Sequence, residues 1–108
     1  MQQKLISVVV PVFNTEKYVE RCLKSLLSQT YSKLEIIVVN DCSSGNIEEL
    51  LQPLMREDNR IRYIRHEVNK GLFQARLSGA DLAQGAYIAF ADSDDYVGSN
   101  FYHGLLSS

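Results

Sequence analysis

Four apolar runs, separated by stretches with helical spacing, constrain this chain more than any other feature. Residues 6–12 read Ile-Ser-Val-Val-Val-Pro-Val and residues 34–39 read Leu-Glu-Ile-Ile-Val-Val. Such β-branched runs are the composition of parallel strands buried on both faces. Residues 61–66 alternate imperfectly, which suits a strand nearer the sheet edge. Residues 87–91, Tyr-Ile-Ala-Phe-Ala, read as a further buried strand that stops abruptly at Asp92, Ser93, Asp94 and Asp95.

The intervening stretches carry helix signals. Tyr18, Val19, Cys22, Leu23, Leu26 and Leu27 trace a single helical face. A turn and cap signal at Ser43, Ser44, Gly45 and Asn46 precedes a second helix over 47–56. Pro53 is expected to kink it or end it early. A third helix over 72–83 is rich in small residues, namely Ala75, Ser78, Gly79, Ala80 and Ala83, which let a helix approach a sheet closely. Gln84-Gly85 stops it. Residues 99–106 read as a short final helix.

Strands alternating with helices demand an α/β fold with a mainly parallel sheet and right-handed crossovers. The expected architecture is a Rossmann-like three-layer sandwich of about four strands in order 3-2-1-4. All strand C-termini then share one edge, where Asn14, Asp41, His66 and Asp92–Asp95 converge. That edge is where ligands bind in open α/β sheets.

A length of 108 residues with 45% hydrophobic content suits one small domain with a core. The net charge of −2 offers no general attraction for nucleic acid or anionic lipid. Cys22 and Cys42 form no CxxC and read as free thiols in a reducing compartment, with Cys22 on the packed face of its helix. No basic region with a cleavage site frames the apolar start, and no run approaches the roughly 18–20 residues of a membrane span. The expectation is a soluble chain in the cytoplasm.

The acidic block carries the clearest chemistry. One or two carboxylates plus ligand phosphates are the usual coordination of Mg²⁺ or Mn²⁺. Asp92 and Asp94 are spaced so that they need not face one way, so one direct and one indirect ligand are expected. The plain alternative is a solvated acidic loop capping the last helix. Asp41, at the second strand's tip, can accept hydrogen bonds from a base or ribose, or can be a turn aspartate bonded to its own backbone. Pro11, Val12, Phe13 and Asn14 leave the first strand with backbone groups free to grip a planar base. Phe13 itself fits core or ligand equally. Lys70-Gly71 opens a helix whose N-terminus favours phosphate, and Arg76 inside it suits a diphosphate or a surface ion pair. His66 and His103 stand isolated and read as structural. Tyr18, Tyr31, Tyr63, Tyr87, Tyr96 and Tyr102 show no stacking period and read as packing residues.

Taken together, these residues resemble the N-terminal half of family 2 glycosyltransferases, which have the GT-A fold. The matching blocks are Ser7-Val8-Val9-Val10-Pro11-Val12-Phe13-Asn14, Ser25-Leu26-Leu27-Ser28-Gln29-Thr30-Tyr31, and Glu35-Ile36-Ile37-Val38-Val39-Asn40-Asp41. Asn69-Lys70-Gly71 through Ala75-Arg76 follows, and the DxD-type block Asp92-Ser93-Asp94 closes the series. The blocks stand in family order and cover nearly the whole chain. The departures are Asn40 for a common second aspartate, Cys42 for a common glycine, Gly45 for a common aspartate and Leu77 for a common asparagine.

The resemblance implies a truncated GT-A fold that binds a nucleotide-diphosphate sugar, most often a UDP-sugar, with Mg²⁺ or Mn²⁺. It implies inverting transfer to an unknown sugar, lipid or protein acceptor, with no nucleic-acid partner. By position, Pro11, Val12, Phe13 and Asp41 match the base-contacting residues. Asp92 and Ser93 fall on the nucleotide-sugar side of the DxD block, Asp94 on the metal, and Arg76 near the diphosphate. The whole of 1–108 then reads as the nucleotide-sugar-binding half, with the acceptor half and its catalytic base expected beyond residue 108. A peripheral place at the inner membrane fits a longer parent. Self-association is expected through surface bared near Tyr96, Phe101 and Tyr102.

Other classes compete less well. A nucleotide-binding module without activity of its own fits the same residues. A receiver-type phosphoacceptor domain would carry its acidic pair after the first strand, which here ends Phe13-Asn14. A nucleotidyltransferase needs a glycine-rich basic loop there, and a dinucleotide oxidoreductase needs GxGxxG.

Overall fold

A computed structural model of the chain describes residues 4–13, 16–28, 33–42 and 47–91. Seven elements alternate along it: β1 (Ile6–Val12), α1 (Glu16–Leu27), β2 (Leu34–Asn40), α2 (Ile47–Glu57), β3 (Ile61–Arg65), α3 (Leu72–Leu82) and β4 (Tyr87–Phe90). The four strands form one sheet in the order β3-β2-β1-β4, and every neighbouring pair is parallel. The expected topology is therefore present.

Burial follows from position in the sheet. β1 and β2 are central, and all seven residues of each are buried. Alternate side chains feed two cores. Val8, Val10, Val12, Ile36 and Val38 pack with Val19, Cys22, Leu23 and Leu26 of α1 and with Ile47, Leu51 and Leu54 of α2. On the other face Val9, Ile37 and Val39 meet Ala75 of α3. Cys22 is thus a packing residue, and neither cysteine is in a disulfide.

Two expectations need correction. The 87–91 run is not a buried strand. Tyr87, Ile88 and Phe90 are each close to half exposed, because among the described residues β4 pairs with β1 alone. Pro53 does not end its helix, since α2 runs on to Glu57. Its flanking Leu51 and Leu54 are buried, and that packing holds the helix across a residue that supplies no amide donor. The helix expected over 99–106 lies outside the described residues.

α3 sits close to the sheet because of one glycine. A Cβ on Gly79 would lie 2.3 Å from Cγ1 of Val9 and 3.2 Å from a methyl of Val39. At the far end of α3 a polar clasp ties helix to sheet. Glu35 accepts from Ser7 Oγ at 2.7 Å, from the Gln84 amide at 3.0 Å and from Arg62 Nη1 at 2.8 Å. The Gly85 amide donates to Ser7 Oγ, and Arg62 also donates to the Leu82 carbonyl. Burial acts to raise the Glu35 pKa, but the Gln84 amide, Ser7 and Arg62 outweigh it and hold the carboxyl below its ordinary value. The clasp lies at the N-terminal edge of the sheet, opposite the strand tips. Together with Gly79 it sets where the first turn of α3 falls. Among the described residues no helix is long and apolar enough to cross a membrane.

Candidate functional site

The parallel ladder runs one residue past the strand ends and delivers two side chains to the same edge. The Asp41 amide donates to the Val12 carbonyl at 2.8 Å, and the His66 amide donates to the Asn40 carbonyl at 2.8 Å. Asp41 and His66 are consequently fixed at the tips of β2 and β3, and both are buried.

Asp41 is 3% exposed and makes three hydrogen bonds to its surroundings. Its Oδ1 lies 2.8 Å from His66 Nδ1 and accepts from the Lys70 amide at 2.9 Å. Its Oδ2 accepts from the Gly71 amide at 2.8 Å, an N–H shared with Asn69 Oδ1 at 3.0 Å. Burial acts to raise the Asp41 pKa, yet the Lys70 amide, His66 and the Gly71 amide together keep it below the ordinary value. An ionised carboxylate accepts only, so His66 Nδ1 carries the proton between them. On the other side of the ring, His66 Nε2 lies 2.8 Å from Ser78 Oγ. The serine hydroxyl can donate or accept, so it holds the ring in place while the Asp41 carboxylate sets the proton on Nδ1.

Asp41 therefore bonds backbone amides, as a turn aspartate would, but those amides lie 29 and 30 residues further along the chain. The Lys70 and Gly71 amides, which precede the first turn of α3, are taken by a carboxylate of the protein itself. Gly71 holds φ at 91°, a conformation that costs glycine little and brings the chain into α3.

Pro11, Val12, Phe13 and Asp41 come together as expected. With Asn69, Gly71, Leu72 and Ala75 they line a cleft of about 270 Å³ between the tips of β1 and β2 and the first turn of α3. Phe13 is 47% exposed, so it forms the lip of this cleft and is not core. Arg76 follows Ala75 on α3 and is not among the residues that line this cleft. Its guanidinium carbon sits 5.7 Å from the centroid of the Phe90 ring, which joins α3 to the outer strand.

Asp92, Ser93 and Asp94 lie outside the described residues. The last described residue, buried Ala91, lies beside β1, its amide donating to the Val9 carbonyl at 3.0 Å. Among the described residues no three His, Cys, Asp or Glu side chains could share a metal. Carboxylate oxygens in the acidic block suit a hard divalent cation.

A second polar network braces the same edge from outside. Asn40 Nδ2 donates to Tyr63 Oη at 2.9 Å, Tyr63 Oη donates to Glu48 Oε1 at 2.6 Å, and Arg65 Nη1 donates to the same oxygen at 3.0 Å. Burial, and then Glu48, raises the Tyr63 pKa. Cys42 follows Asp41 at a φ of 61°, which explains why glycine is the common residue there.

The union of His66 with Asp41 and Ser78, and the capture of the Lys70 and Gly71 amides, were not legible in the sequence. The one available signal was that His66 stands at the tip of a strand whose neighbour ends in Asp41.

A family model for glycosyl transferase family 2 matches residues 7–107. The glycosyltransferase GlyG of Streptococcus pneumoniae serotype 4 is 44% identical over 102 residues, a match covering 94% of this chain and 34% of that protein. The crystal structure of S. aureus TarS 1-349 superposes with a TM-score of 0.86 at 30% identity, covering 94% of this chain and 31% of that one. TarS has been solved with UDP and with UDP-GlcNAc. The mannosyltransferase PcManGT of Pyrobaculum calidifontis, solved with GDP-Man and Mn²⁺, shares the fold at 20% identity and a TM-score of 0.81, over 88% of this chain and 29% of its own. The chain spans about a third of the length of GlyG. A 3-2-1-4 parallel sheet with an ionised aspartate at its open edge, matched along almost its whole length, makes this chain a member of glycosyl transferase family 2.

Proposed function

We propose that the chain is the nucleotide-sugar-binding half of an inverting glycosyltransferase that takes a UDP-sugar together with Mg²⁺ or Mn²⁺. The observation that carries this reading is Asp41, a buried carboxylate kept ionised beside the Pro11–Phe13 strand exit in a cleft of about 270 Å³. A base edge with an N–H donor finds an acceptor in Asp41, and the exit of β1 supplies backbone and Phe13 contacts for its plane. TarS, which binds UDP and UDP-GlcNAc, supports the choice of donor.

Asp92 and Ser93 are assigned to the nucleotide-sugar and Asp94 to the metal. Arg76 is assigned to the diphosphate side. A divalent cation bound there would neutralise charge on the departing diphosphate. The general base and the acceptor site, for a sugar, lipid or protein, are assigned to sequence beyond residue 108. The reading includes a cytoplasmic place, or a peripheral one at the inner membrane for a longer parent. It also includes self-association through apolar surface, which the half-exposed Tyr87, Ile88 and Phe90 favour.

Calorimetry tests the proposal. UDP with Mn²⁺ should bind this chain more tightly than UDP alone. Asp94→Ala should remove the metal dependence, and Asp41→Ala should weaken UDP with or without metal. Equal binding by wild type and Asp94→Ala under both conditions would take Asp94 out of the site.

A further inference from the structure

Family membership leaves the base open, since structural neighbours of this chain carry uridine and guanosine diphosphate donors. The hydrogen bonds around Asp41 bear on that choice. A carboxylate offers about four acceptor positions. Three of those on Asp41 are taken, two on Oδ1 by His66 Nδ1 and the Lys70 amide and one on Oδ2 by the Gly71 amide. Among the described residues, one position on Oδ2 is left for a ligand in the cleft that Asp41 lines.

The two amides belong to the backbone at the mouth of α3 and cannot turn away. His66 is the side chain that completes the set. It is 8% exposed, and its far nitrogen is held by Ser78 Oγ on α3. The ring therefore spans from the tip of β3 to the middle of α3 and presents one N–H to Oδ1. Without it, Oδ1 would regain an acceptor position, and the carboxylate would lose one of the three contacts that fix its rotamer.

Building on the nucleotide reading above, we infer that His66 is a positioning residue that limits Asp41 to a single ligand-facing acceptor, so that the site prefers a base with one imide N–H over guanine. A pyrimidine-2,4-dione presents one N–H between two carbonyls and needs one acceptor. Guanine presents an N–H and an NH₂ side by side and is held by a carboxylate through two. With Oδ1 closed by His66 and Lys70, the second acceptor is missing. Ser78 acts one step further back, by anchoring the ring through Nε2.

The test compares UDP, dTDP and GDP, each with Mn²⁺, by calorimetry on the 108-residue chain. Wild type should favour UDP and dTDP over GDP by about tenfold or more, the scale of one charge-assisted hydrogen bond. His66→Ala should weaken UDP by about tenfold and bring the UDP-to-GDP ratio toward one. His66→Asn, whose amide N–H can take the place of Nδ1–H, should restore the ratio. A residue of purely structural worth would lower the melting temperature and leave the ratio alone. An unchanged ratio in folded His66→Ala overturns the inference while the nucleotide reading stands, whereas wild type that binds none of the three overturns both. Should His66→Ala not fold, the wild-type imidazole decides by ¹⁵N spectroscopy: a proton on Nδ1 is expected, and an Nδ1 without one overturns the inference.

Discussion

Gly79→Ala perturbs the contact on which the geometry of the cleft depends. The added methyl would sit 2.3 Å and 3.0 Å from the two methyls of Val9 and 3.2 Å from Cγ2 of Val39. Val9 and Val39 are fully buried in central strands, so neither can swing away, and α3 must lift from the sheet. Overpacking of this kind costs about 1–3 kcal/mol. Alanine recovers roughly 0.8–1 kcal/mol through its better helix propensity. The net loss should be about 1 kcal/mol, and a domain of this size then melts roughly 4–8 °C lower. Thermal unfolding followed by circular dichroism reads this directly, with Asp81→Ala on the exposed face of α3 as a control expected to stay within about 0.5 kcal/mol. The lift also moves Gly71, Leu72 and Ala75 away from Pro11 and Val12, so UDP should bind more weakly at temperatures where the variant is still folded. A variant as stable as wild type would refute the close approach of α3 and the argument built on it.

Four further outcomes follow from other parts of the molecule. Cys42→Gly should raise stability by about 0.5 kcal/mol in thermal melts, because relief of a positive φ exceeds the entropy cost of glycine. Glu35→Ala should cost about 2–4 kcal/mol in urea titrations, since it strips the acceptor from Ser7, Gln84 and Arg62 at once. Glu35 and Asp41 both sit below their ordinary values of 4.5 and 3.8, so their contribution is complete above those values and is lost as pH falls through the lower folded ones. Melting temperature should accordingly be flat above about pH 5 and drop in acid, with Glu35→Gln showing a shallower drop. Asn40→Asp should destabilise the chain by about 2 kcal/mol in urea titrations at neutral pH, because the Tyr63 hydroxyl already gives its proton to Glu48 and cannot serve a second carboxylate.

Periodicity and residue type alone determined the alternating elements, the strand order and the edge at which Pro11, Val12, Phe13 and Asp41 meet. A parallel sheet with right-handed crossovers leaves few topologies, and β-branched runs such as 6–12 and 34–39 fit only its centre. The exposure of β4 was not legible, because an apolar run carries no mark of how many neighbours it will have. At Pro53 the local penalty is visible in the chain, while the burial of Leu51 and Leu54 that keeps the helix running to Glu57 is not. The surroundings of Asp41 belong entirely to the tertiary structure. His66, Lys70, Gly71 and Ser78 lie 25 to 37 positions beyond it in the sequence. They reach it because β3 is carried past β2 and because Gly79 lets α3 settle on Val9. Hydrogen bonds between side chains so far apart have no period to reveal them, and they become definite only when the sheet has brought the strand tips together.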